Sequence, residues 1–439
     1  MSVAVQQRVI HRGGAQRTRR AVQPQCSRGA VTAVWQSLDA KAHTSCKPRV
    51  TRLPRKLRPH VCSLLPTPAR DTALNHEPAE LTQLRAIIAS AGARLDVRVA
   101  CEVAMGEHSL PVHAITLGSS SPEAPAVGFF GGVHGLERIG TQLVLAYLAN
   151  LLARLRWDGV LQAQLRGLRL VFMPLVNPGG MALGTRANPS GVDLMRNSPV
   201  QAEAAVPMLL GGHRIGTALP WFRGLAGAPM QAESAALCEV VGRELLGRPL
   251  CIAIDCHSGF GMRDRVWFPH AHTRRPIDHL AEVHAFTALL DQSCPYHRYL
   301  VEPQSHQYCT HGDLWDHLYL GALQRPLSVF LPLTLEMGSW LWIKKNPRQL
   351  LSRQGLFNPS APHRQQRVLR RHLAWFDFVM RAASSHAAWL PAGTARETER
   401  RAGLARWYGA APWCAEAASA AAWATAQGRP GGSAPRGGD

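Results

Sequence analysis

Six short apolar runs, recurring along one stretch of chain, limit what this sequence can fold into more than any other feature. They are "VRVACEVAM", "VHAITLG", "AVGFFGGV", "LRLVFMPLV", "LCIAIDC" and "LSVFLPLTLEM". Several are continuous rather than alternating, as strands covered on both faces should be. Helical spacing precedes them over 76–95 and falls between them over Ile139–Leu155, Ala232–Leu246 and Pro276–Leu290, the last with a proline at a first-turn position. Another helix is predicted near Arg364–Met380. Strands alternating with helices predict an α/β domain, with helices on both faces of a largely parallel or mixed sheet. The 439 residues are enough to enclose such a core, and no internal repeat is evident.

A net charge of +20 raises the question of a nucleic-acid partner. Its distribution argues otherwise. Residues 1–60 hold 13 Lys/Arg against a single acid, Asp39, so they contribute +12 and the rest of the chain only +8. No aromatic or Gly-rich recognition motif accompanies that basic segment, and nucleic acid is not the expected partner. Residues 1–75 read as a basic, poorly structured leader, 76–385 as the domain that carries the chemistry, and 386–439 as a C-terminal extension. From about Ala415 that extension is an Ala/Gly/Pro-rich tail. No run approaches the roughly 18 apolar residues of a membrane span, and the Arg-rich first twenty residues lack the apolar stretch of a secretory signal. The ten cysteines include no CxxC pair, so free thiols in a reducing, cytoplasmic setting are expected.

The chain has two HxxE matches, His134/Glu137 and His279/Glu282. The second lies inside a helical pattern, reads as a polar helix face, and is assigned no role. The first follows an apolar run directly, in a Gly-flanked loop that opens a helix. His257 follows "LCIAIDC" and Glu336 closes "VFLPLTL". In α/β sheets functional groups collect at the carboxyl ends of strands. If these three strands are parallel, all four side chains reach one edge of the sheet. Two imidazoles and a carboxylate suit one Zn²⁺ ion with a position left for water, and a separate carboxylate is then needed to move the proton. His134, Glu137 and His257 are the expected ligands and Glu336 the expected base. Between them lies a long Asn-, Pro- and Gly-rich loop, Leu175–Pro199, carrying Arg186 and Arg196. Arginines in such a loop suit a substrate carboxylate or an oxyanion.

The order HxxE, "NPGG", "GVDLMRN", a His after a buried strand, then a late Glu resembles the zinc carboxypeptidases of the carboxypeptidase A type. The intervals of 119 residues between Glu137 and His257 and 78 between His257 and Glu336 look like those of that family. The resemblance runs from about Val97 to Met380. It implies a three-layer α/β/α fold around a mixed, largely eight-stranded sheet, with one zinc ion at the sheet edge. It implies that Asp193 orients a ligating His, that Arg196 grips a substrate's terminal carboxylate with Asn197 beside it, and that Arg186 stabilises the oxyanion. A Tyr is expected roughly twenty residues before the catalytic Glu. Tyr319 and Tyr308 are both near, neither in clear register, and Tyr319 is assigned to the substrate site. Met195 stands where the family usually has Asn, so a hydrogen-bond donor for a terminal carboxylate is missing. The loop also reads "NPGG" where an Asp commonly precedes the last Gly. The expected substrate is a peptide or peptide-like amide. The alternatives are an acylated amino acid, as for deacylases similar to succinylglutamate desuccinylase or aspartoacylase, and a non-catalytic binding protein on the same scaffold.

Overall fold

The computed structural model describes residues 77–325 and 328–409; the predicted leader and the Ala/Gly/Pro-rich tail lie outside the described residues. Helix α1 (Ala79–Ala91) precedes strands β1 (Asp96–Met105) and β2 (His108–Gly118). Strand β3 (Ala126–Gly131) leads into α2 (Arg138–Arg154) and α3 (Gly159–Leu165), and β4 (Arg169–Met173) into the short α4 (Pro178–Leu183). After α5 (Ala232–Glu244) come β5 (Leu250–Ser258), β6 (Arg265–Phe268), α6 (Leu280–Ser293), β7 (Leu300–Pro303), α7 (Leu314–Ala322) and β8 (Val329–Met337). Helices α8 (Trp340–Lys345), α9 (Pro362–Ser384), α10 (His386–Trp389) and α11 (Gly393–Gly403) follow.

The eight strands form one mixed sheet in the order β1-β2-β4-β3-β5-β8-β6-β7. Its centre, β4, β3, β5 and β8, is parallel. β2 and β6 flank that centre antiparallel to their neighbours. Successive residues of β3 show the two covered faces. Phe129 packs on Tyr147 of α2 and Phe376 of α9, while Phe130 meets Trp315 of α7 on the other side. Every residue of β3 and β5 is buried, which is why those runs carry no polar alternation. The six predicted runs are β1 to β5 and β8, inside the expected three-layer architecture. β6 and β7, four residues each, were not predicted.

One helix boundary is corrected. Helix α6 starts at Leu280, so Pro276 lies outside it; the chain just before the helix is held by the Tyr319 hydroxyl, which accepts the His279 N–H at 3.0 Å. Residues 386–409 do not stand apart from the domain. α11 packs on α6, with Arg396 Nε donating to Glu282 Oε1 at 2.6 Å, His284 Nδ1 2.5 Å from Glu399 Oε2, and Gly403 against Leu280. Glu282, the acid of the second HxxE, is thus a docking point for the C-terminal helix.

Candidate metal centre

The site begins with two turns that interlock. Beyond β3 the chain bends at Gly132, whose φ of +64° favours glycine. The segment after β4 bonds back onto it, Val176 N–H to Gly131 O at 3.0 Å and Asn177 N–H to Gly132 O at 2.9 Å. Asn177 Oδ1 accepts the Gly180 N–H and caps α4, with Pro178 in the first turn, while its Nδ2 donates to Val133 O. A Cβ on Gly135 would sit 2.1 Å from the backbone of Gly180, so both loops depend on bare backbone where they touch. The predicted loop Leu175–Pro199 is therefore built around a short helix and a 3₁₀ turn at Leu194–Arg196.

His134, Glu137 and His257 come together, all buried. His134 Nδ1 lies 2.9 Å from Glu137 Oε1, His257 Nδ1 3.1 Å from Glu137 Oε2, and the two Nδ1 atoms are 3.2 Å apart. Behind each ring stands a carboxylate. Asp193 Oδ1 is 3.2 Å from His134 Nε2, and Asp255 Oδ2 is 2.7 Å from His257 Nε2. An ionised carboxylate only accepts, so each Nε2 carries the proton and each Nδ1 turns a lone pair inward. Two lone pairs this close, beside a carboxylate, require a positive charge between them. Burial pulls the His257 imidazole down, but Asp255 and Glu137 outweigh this and raise it well above its ordinary value. Zn–N bonds of about 2.0–2.1 Å at tetrahedral angles put neighbouring donors about 3.4 Å apart. The observed spacing and donor set fit that ion.

Burial pushes the Glu137 carboxyl up, yet the charge and hydrogen bonds of His134, with those of His257, hold it well below the usual range. Its Oε2 also accepts the Ser258 N–H at 2.9 Å. Arg186 donates from Nε to Asp193 Oδ2 at 2.8 Å and from Nη1 to Glu137 Oε1 at 3.2 Å, so it is clamped against the centre. Glu336 is the cross-strand partner of His257 in the parallel β5–β8 ladder. It is buried and accepts the Phe260 N–H at 2.9 Å. Burial, then the negative charge of Glu137, pushes its carboxyl up to about 8.

The structure separates the remaining candidates. Arg196 is buried and its Nε has no partner among the described residues. Asn197 does not stand open to a ligand as expected: its Nδ2 donates to Arg223 O at 2.9 Å and its Oδ1 accepts the Gln231 N–H at 2.6 Å. Tyr319 is a second correction. It is fully buried inside α7, one turn from Trp315, with its hydroxyl on His279. Tyr308 is the tyrosine whose hydroxyl, raised by burial, lies within the influence of Arg196, Glu336 and Arg186. Met195, in the Asn position, is buried in the core. Asp255 was not predicted, although it lies two residues before His257 on the same strand, where alternation puts both on one face.

Residues 105–325 match the model of the zinc carboxypeptidase family. That segment contains the three clustered residues; Glu336 lies beyond it. A 77-residue stretch is 34% identical to carboxypeptidase SOL1 of Arabidopsis thaliana, covering 18% of this chain and 16% of that protein. Among solved structures, carboxypeptidase A from Helicoverpa armigera superposes with a TM-score of 0.51 at 16% identity, over 70% of this chain and 72% of that one. Bovine thrombin-activatable fibrinolysis inhibitor superposes with a TM-score of 0.50 at 15% identity, over 72% and 98%. At these identities the superpositions speak for the shared fold. With half of its length matched by the family model, the chain belongs to the zinc carboxypeptidase family.

Proposed function

We propose that this protein hydrolyses an amide bond in a peptide or peptide-like substrate. The observation that carries the reading is the inward pair of imidazole Nδ1 atoms, 3.2 Å apart over one carboxylate, with Glu336 on the adjoining strand at the same rung. His134, Glu137 and His257 would hold a Zn²⁺ ion, which when bound would supply a Lewis acid and lower the pKa of water there to about 7. Glu336 takes the water proton and returns it to the leaving nitrogen; a carboxyl raised by burial and by Glu137 suits a group that must hold a proton between the two steps. The Phe260 N–H fixes its orientation. Arg186, with Nε and Nη1 engaged by Asp193 and Glu137, presents its remaining nitrogen to the developing oxyanion. Arg196 and Tyr308 receive the polar end of the substrate.

Met195 supports keeping an acylated amino acid as the second substrate class, because a thioether offers no donor to a terminal carboxylate. A peptide-library digest run beside a panel of acylated amino acids, on zinc-loaded protein, tests both. Cleavage of peptides with Glu336→Gln inactive is the expected result. No turnover on either set would favour a binding protein, and equal turnover in Glu336→Gln would remove Glu336 from the reaction.

A further inference from the structure

A second group of metal-type donors lies between the segment after β6 and the first turn of α7. We propose that His270, His272 and Asp316 hold a second divalent cation of the Zn²⁺ class, bracing the loop that carries Tyr308. The three residues are 6%, 7% and 1% exposed. One ligand atom from each can be chosen so that all lie within 4.8 Å of one another. Asp316 Oδ2 accepts the backbone N–H groups of Ala271 at 2.8 Å and His272 at 2.7 Å, and is 2.5 Å from His272 Nδ1. Three donors on one oxygen lock the carboxylate and leave Oδ1, which is buried with no partner among the described residues. His270 Nδ1 is also buried and without a partner among those residues. Buried polar atoms are costly to leave unsatisfied, and two in one cluster of metal-type donors point to a cation between them.

Charge points the same way. Asp313 caps α7 through Oδ1, while its Oδ2 is another buried atom without a partner among the described residues. The charge of Asp316 acts on it, with Arg196 as the opposing positive group. A cation beside Asp316 offsets that repulsion. Two imidazoles and a carboxylate suit Zn²⁺ better than Mg²⁺ or Ca²⁺, which prefer all-oxygen shells.

The placement gives the ion something to do. Ser305 N–H donates to His270 O at 3.1 Å and Thr310 N–H to Ala271 O at 2.9 Å. Both ends of the segment holding Tyr308 therefore hang on the backbone between the two histidines. A metal at these side chains stiffens that platform without touching His134 or His257.

The test is a metal count, which does not depend on turnover, so its failure leaves the proposed hydrolysis standing. The full chain is stripped with chelator, reloaded with Zn²⁺ alone, gel-filtered, and assayed for zinc per chain. We expect two equivalents in the wild type, one in His134→Ala, one in His270→Gln, and none when the last two are combined. His270 Nδ1 has no partner among the described residues, so Gln breaks no hydrogen bond seen there. His272→Asn, checked for a native circular-dichroism spectrum, should lose the same equivalent. A single equivalent in the wild type, or a second one that survives either substitution, overturns the proposal.

Discussion

Asp255 shows how the centre is held from behind. It is fully buried, and one oxygen, Oδ2, accepts both His257 Nε2 at 2.7 Å and Trp315 Nε1 at 2.8 Å. Asp255→Asn preserves volume and can leave a carbonyl oxygen in that place. What disappears is the full negative charge behind the imidazole. A hydrogen bond to a charged group contributes about 1.5–3 kcal/mol and a neutral one about 0.5–1.5, so the bond to His257 weakens by about 1–1.5 kcal/mol. At about 1.4 kcal/mol per decade, zinc affinity should fall about tenfold, the lower end of the 10–100-fold range seen for partners of metal-bound histidines. Asp255→Ala removes the acceptor altogether and should approach about 100-fold, with a further stability loss of about 1–3 kcal/mol from the unpaired Trp315 N–H. Competition against a chromophoric chelator at fixed pH measures both. Ile254→Val, one residue away on the opposite face of β5, should cost about 0.5–1.5 kcal/mol of stability and leave the affinity unchanged. An Asn variant within about threefold of wild type would refute the reasoning. So would Asn and Ala variants that behave alike.

Glu336→Gln should retain zinc at wild-type stoichiometry and lose about 10²–10⁴-fold in turnover, whereas His134→Ala should lose that zinc as well; equal metal content in the two would contradict the division of roles. His372 is 1% exposed, bonded through Nδ1 to the Tyr299 hydroxyl at 2.8 Å, and pushed down to about 4 by burial. Its folded pKa lies below the unfolded value of about 6.5, so the unfolded chain takes up the proton first and stability drops as pH falls from 6.5 towards 4. The drop should be about 2 kcal/mol by pH 5 and about 3 by pH 4, read from urea unfolding, and His372→Gln should flatten this part of the profile. Gly140→Ala places a Cβ 2.3 Å from Cys256 O, beside His257. A stability loss of about 1–3 kcal/mol is expected, with weaker zinc binding; chelator competition showing full affinity in a destabilised protein would separate strand position from metal binding.

The parts of the fold legible in the sequence were those whose signal is local. β3 and β5 are buried on both faces and read as unbroken apolar runs. β6, "RVWF", and β7, "LVEP", owe their strand identity to pairing with β8 and with each other, and pairing partners do not appear in a window of four residues. The clustering of His134, His257 and Glu336 was legible because parallel strands deliver their carboxyl ends to one edge. The two tyrosines were not separable by distance along the chain. Helical spacing alone could have done it, since Trp315 and Ala322 stand four before and three after Tyr319 and mark a core stripe. Asn197 looked available because its partners, Arg223 O and the Gln231 N–H, lie in a stretch with no regular pattern.

His257 and Glu336 sit across one rung of a parallel ladder, where strands run about 4.8 Å apart. The sheet thereby acts as a ruler for the two side chains: their spacing is set by main-chain bonding and survives almost any change in the loops around them. Arg186, Arg196 and Tyr308, by contrast, are carried on those loops. Divergence among chains of this architecture should therefore change what is cut well before it changes whether cutting happens. Loop grafts onto the β5 and β8 ends offer a direct route to new preferences on an unaltered engine.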